Sequence, residues 1–136
     1  MPVATATISL SEAQQLLTTA VAHAGELGAQ VAVAIVDRGG RLVACARMDG
    51  TALMSMDIAT GKAYTAAGLN QPTEVWDDAV AASPGFSGAI TSIPGFTPFG
   101  GGKPVVSGSH LTGAIGVSGG TLAQDIEIAL VATQSL

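Results

Sequence analysis

The chain is short of charge, of aromatic rings and of cysteine, and each shortage closes off a class of protein. Only 11% of its 136 residues are charged, and five basic residues face ten acidic ones. The net charge of −5 leaves no concentrated basic face, so no nucleic-acid partner is expected. No apolar run approaches the roughly 20 residues of a membrane helix, so no membrane partner is expected either. The first basic residue is Arg38, so the N-terminal residues lack the positive segment of a secretory signal, and a cytoplasmic protein is expected. Cys45 is the single cysteine and cannot form an internal disulfide. Its place in an apolar strand reads as a buried, inert thiol. No cluster of His, Cys, Asp and Glu has the spacing of a zinc site.

What is present is aliphatic. Hydrophobic residues make up 48% of the chain and aromatics 4%, so Ala, Val, Ile, Leu and Gly must build the core. The length suits one domain, residues 1–136, with a core that needs neither disulfide nor metal. With so little charge to cover the outside, apolar faces are left over, and a homo-oligomer is the expected way to bury them.

Ser9 and Glu12 fit a capping box, and Leu10, Ala13, Leu17, Ala20, Val21, Ala24 and Leu27 follow at helical spacing, with Gly28 as the stop. Residues 30–36 and 42–46 read as two strands joined by a tight turn at Asp37-Arg-Gly-Gly40. Residues 55–66 predict a helix with Ile58, Ala59, Ala63 and Ala66 on one side. Residues 73–82 predict another, started by a Thr73 cap and acidic residues. Residues 83–102 read as an ordered loop carrying Phe86, Phe96 and Phe99. A second hairpin spans 104–106 and 111–117. Thr121 and Gln124 cap a final helix with Leu122, Ile126, Ala129 and Leu130 on one face. Antiparallel hairpins with helices elsewhere in the chain indicate an α+β domain, helices on an antiparallel sheet.

The hairpin VAIVDRGGRLVACARMDG, the helix SMDIATGKAYTA, the loop GGGKP and the segment GAIGVSGGTLAQD together resemble the GlcG/HbpS family, which includes HbpS-type haem-binding proteins and the C-terminal domain of PduO-type proteins. The resemblance runs from the first helix to the last. It implies a profilin-like fold, oligomeric assembly, and haem binding linked in some members to oxidative haem degradation or redox sensing. HbpS-type sensors are secreted, and the missing signal segment departs from them.

Arg47 and Asp49, at the end of the second strand, read either as a solvated surface pair or as a pocket mouth where Arg47 grips a carboxylate or a haem propionate. Lys62 shares a helical stripe with Ser55, Ile58 and Ala66, so its ammonium emerges from a largely apolar face. It can snorkel to water, the common outcome, or meet a carboxylate such as Asp125. A structural ion pair comes first among its readings, ligand contact second, and general-base or Schiff-base chemistry third. Gly100, Gly101 and Gly102 before Lys103 offer backbone amides to an anion, but the loop lacks the Lys-Ser/Thr pair of a phosphate loop. Ser118, Gly119 and Gly120 sit at a helix N-terminus, a better anion site. Asp125 is favoured there by the helix dipole and would need Arg47 or Lys62 as partner if half-buried.

The two histidines are His23, at the edge of the first helix stripe, and His110, in a turn. Family members thought to use a first-helix histidine make His23 the preferred axial ligand and metal site; Tyr64, Met48 and Met54 are weaker donors. Three readings stay open. One is a haem-binding, haem-degrading protein with His23 on iron. Another is a cytoplasmic enzyme acting without haem on a small anionic or carbonyl compound, using Arg47, Lys62 and the 118–120 turn, with Asp125 or Asp49 accepting the proton. The third is a non-catalytic oligomeric ligand-binding module.

Overall fold

A computed structural model describes residues 1–136. The first helix, α1 (Leu10–Glu26), starts at the expected capping box: Ser9 Oγ accepts from the Glu12 amide while the Glu12 carboxylate takes the Ser9 amide. Strands β1 (Ala32–Asp37) and β2 (Leu42–Arg47) form the first hairpin, and helix α2 (Ser55–Leu69) follows. Short helices α3 (Asp77–Ala82) and α4 (Pro84–Ala89) lead to strands β3 (Gly102–Ser107) and β4 (His110–Ser118), then to helix α5 (Leu122–Gln134). The four strands lie in the order β2-β1-β4-β3, every neighbouring pair antiparallel. The α+β architecture is the one expected from the sequence pattern.

Strand alternation divides the core. Val33, Ile35, Ile115 and Val117 point to one face, where α1 and α5 cover them with Leu16, Ala20, Ile128 and Ala129. Ala32, Ala34, Val36 and Ala114 point to the other, where α2 packs with Ala59, Ala63 and Ala66. The second face is built almost wholly of alanine, which lets α2 ride very close to the sheet. At Gly116 a Cβ would run into the Ala59 backbone oxygen, so that position must be glycine for the helix to seat.

Four expectations need correction. Residues 73–82 are a 3₁₀ turn (Thr73–Trp76) followed by α3, and Thr73 does not cap them. Its side chain is turned inward, where Oγ1 accepts the Gly102 amide at 2.8 Å. The segment 83–102 contains α4, which opens on a Ser83 cap with Pro84 in its first turn. On α5 the buried stripe is Asp125, Ile128, Ala129 and Ala132, while Leu122 and Leu130 are exposed. The helix is turned to bring Asp125 inward and leave Glu127 on its outer side.

Cys45, fourth, is exposed. It pairs across the ladder with Ala34 and so faces the α2 side of the sheet, but α2 lies over β1, β4 and β3 and leaves edge strand β2 largely uncovered. A disulfide-exchange reagent is therefore expected to label Cys45 in the folded protein about as fast as in the unfolded chain. Strong protection in the folded state would show that something covers this edge.

Candidate functional site

The most unusual geometry is the one built around Lys62. It sits mid-helix on the face of α2 that meets the sheet, and it is 1% exposed. From there its ammonium passes the start of β3 and reaches the opposite helix layer. Nζ donates to the Val117 carbonyl at 2.8 Å and to Asp125 Oδ2 at 3.2 Å. The Phe99 ring lies over it, 4.9 Å from Nζ to the centroid, and takes the remaining side. Asp125, 2% exposed, balances the charge and accepts the Gly120 amide on Oδ1 at 3.0 Å. Burial pushes the Lys62 amine below its ordinary range, and the Asp125 charge partly offsets this. Burial likewise pushes the Asp125 carboxyl up, against the pull of Lys62 and the Gly120 amide.

Gly101 makes this closure feasible. Its φ is +126°, and a Cβ there would lie 2.8 Å from Nζ and collide with the Val117 oxygen. Gly102 abuts the Lys62 backbone carbonyl, and Gly100 lies against the Ile126 side chain. The glycine triplet thus makes room for an internal ion pair. Its Gly102 amide is taken by Thr73, and its Gly101 carbonyl accepts the Val117 amide at 2.9 Å. The turn before α5 is organised the same way. Ser118 is buried, Gly119 carries φ +131°, and the Gly120 amide points inward at Asp125. The amides of Thr121 and Gln124 are taken by the α5 capping box. A cavity of about 520 Å³ opens beside this turn, lined by Gln30, Gly50, Thr51, Gly119 and Gly120.

His23 lies in a different layer, between α1 and α5. Its Nε2 is 2.8 Å from Glu127 Oε2 and its Nδ1 is 3.4 Å from Glu26 Oε2. The Glu127 hydrogen bond, reinforced by Glu26, raises the His23 pKa above its ordinary 6.5 despite partial burial. Glu26, three residues along the same helix, was readable from spacing. Glu127 was not, because only the packing of α5 on α1 brings it there. Arg47 pairs across the ladder with Ala32 and so faces the α2 side, exposed and without an ion partner. Asp49 is exposed in the following turn and does not pair with it. The fold therefore brings Lys62 and Asp125 together but holds His23 and Arg47 apart on opposite faces of the sheet. None of the four main cavities is lined by His23, Arg47 or Lys62.

These features define a small α+β protein: an antiparallel sheet between two helix layers, locked at one end by a buried lysine–aspartate pair, with a carboxylate-held histidine on the outer layer. The chain belongs to the HbpS-like family, whose model, described as haem degrading protein HbpS-like, matches residues 8–134. An uncharacterised 15.0 kDa protein from the dhaT-dhaS intergenic region of Citrobacter freundii is 40% identical over 121 residues, 88% of this chain and 85% of that one. The crystal structure of Klebsiella pneumoniae protein ORFY superimposes with a TM-score of 0.93 at 35% identity, covering 98% of this chain and 93% of that one. The crystal structure of PduOC in complex with haem gives 0.89 at 32% identity, covering 96% and 95%. No helix of this chain is long and apolar enough to cross a membrane.

Proposed function

We propose that this chain binds haem, with His23 as the axial ligand. The observation that carries the reading is the PduOC–haem complex, a fold this chain shares over 96% of its length. The His23 environment fits the role. A carboxylate on one ring nitrogen is the arrangement that orients metal-bound imidazoles and raises their basicity. To present a lone pair, the ring must be neutral and one nitrogen must leave its carboxylate. Glu26, with its side chain 75% exposed, has room to swing away while Glu127 keeps its bond. Arg47 lies on the opposite face of the sheet from His23 and is not part of the same site. The bound group would supply an iron centre for redox chemistry. No observation favours a haem-free enzyme built on Lys62, whose ammonium is enclosed with every side occupied.

The pH dependence follows from the raised His23 pKa. Protonated imidazole cannot ligate, so haem affinity should rise as pH rises through that pKa. Glu127→Gln should move the midpoint down toward 6.5. The test is an absorption titration with haemin across pH, run on wild type, His23→Ala and Glu127→Gln. A saturable Soret shift lost in His23→Ala supports the reading; binding that is weak, non-saturating and unchanged by the substitution overturns it. Loss of the Soret band under peroxide would extend the proposal to degradation. The reading includes a homo-oligomer, since Leu53, Met54, Leu69 and Val75 expose apolar surface on and around α2, and a monomer in sedimentation would remove that part.

A further inference from the structure

A cavity of about 570 Å³ lies away from both His23 and Lys62, between the β1–β2 turn, the outer side of α2 and the loop at Pro94-Gly95. That volume falls in the usual range of small-molecule sites. One wall is a helical stripe of Asp57, Thr60, Gly61 and Tyr64, spaced i, i+3, i+4 and i+7 on α2. The facing wall carries Arg41.

Three close approaches hold the walls in place. Gly40 (φ +80°) and Gly95 (φ +81°) press on opposite edges of the Tyr64 ring, where a Cβ at either would lie 3.0 Å from ring carbons. Gly61 lies against the Thr97 side chain so closely that a Cβ would collide with it. Thr65 anchors the loop from below, accepting the Thr97 amide at 2.8 Å. The cavity is therefore preformed.

Two opposite charges line it. Arg41 and Asp57 line the same cavity, yet they make no ion pair with each other or with any other group. Nor does either side chain form a hydrogen bond, whereas Arg38 in the same turn is engaged by the Leu111 carbonyl. Tyr64, which lines the same cavity, is 40% exposed and presents an aromatic surface to a cation. An occupant with an ammonium at Asp57 and Tyr64, a carboxylate on the Arg41 fork and a short apolar body between would satisfy both charges at once.

We propose that this cavity binds a small zwitterionic amino carboxylate. The probes are the ω-amino acids from glycine to 6-aminohexanoate, with butylamine and butyrate as half-molecules. Each is titrated into ¹⁵N-labelled protein while the Gly40, Gly61 and Gly95 amide shifts are followed. At least one length should saturate with shifts at those glycines, and neither half-molecule should. Arg41→Ala and Asp57→Ala should each weaken binding about tenfold or more, the loss expected for one charge-assisted hydrogen bond. His23→Ala should bind as wild type, separating this site from the haem proposal. The assignment is overturned if no length saturates with shifts at these glycines, if a half-molecule binds as tightly, or if both charge variants bind like wild type.

Discussion

Asp125→Asn is expected to destabilise the protein by about 3–5 kcal/mol, the cost of leaving a buried ammonium without its counter-charge. The substitution keeps an oxygen for the Gly120 amide, so the loss would report on charge and not on the turn. Lys62→Met leaves the opposite charge stranded and should also destabilise, though less, because Asp125 keeps an amide donor. The informative variant is the double, Lys62→Met with Asp125→Asn. Both charges are then gone from a site 1–2% exposed, and replacing a buried pair by uncharged groups is often nearly neutral. The double variant should lie within about 2 kcal/mol of wild type, far from the sum of the singles. Urea denaturation of the four proteins measures the coupling. Additive losses would mean that the two residues stabilise the fold independently.

Gly116→Ala is expected to cost about 3 kcal/mol or more, since overpacking against backbone cannot be relieved by a rotamer change. A Cβ there meets the Ala59 oxygen and lies 2.7 Å from the Ala63 nitrogen, so α2 must lift from the sheet or β4 must shift. Gly68→Ala is the matched control. It lies on α2, the helix that Gly116 admits, with open space around its would-be Cβ and an ordinary φ, and it should be neutral or stabilising by up to about 1 kcal/mol. Equal effects at the two positions would show that the close approach of α2 to β4 does not set the cost at Gly116.

Much of this structure was legible in the sequence because its signals are local. Both capping boxes, the Gly28 stop, the turn at Gly40 and the order of hairpins and helices are fixed within a few residues of themselves. Lys62 stood out for the same reason: a cation within an apolar helical stripe either snorkels to water or finds a carboxylate, and Asp125 was one such candidate. What escaped notice depends on distant segments. Thr73 has the composition of a cap, but it is taken by Gly102, 29 residues away. The glycines at 100–102 and the Gly120 amide look like an anion cradle until the internal carboxylate and ammonium are in place. Cys45 sits in an apolar strand, and nothing near it reveals that α2 passes by without covering it. His23 gains Glu127 only through packing 104 residues apart.

The placement of positive charge has a further consequence for the behaviour of the protein at high concentration. Lys62 is sealed inside, and the other four basic side chains stand at the turn or on the two outermost strands: Arg38, Arg41 and Arg47 beside β2, Lys103 on β3 next to Pro104. An outermost strand carries unpaired amides and carbonyls that invite another molecule's strand to add on, and cationic residues and proline are what discourage it. In this chain the scarce positive charges double as guards against runaway edge-to-edge stacking, so neutralising them at β2 would threaten solubility before it threatened the fold.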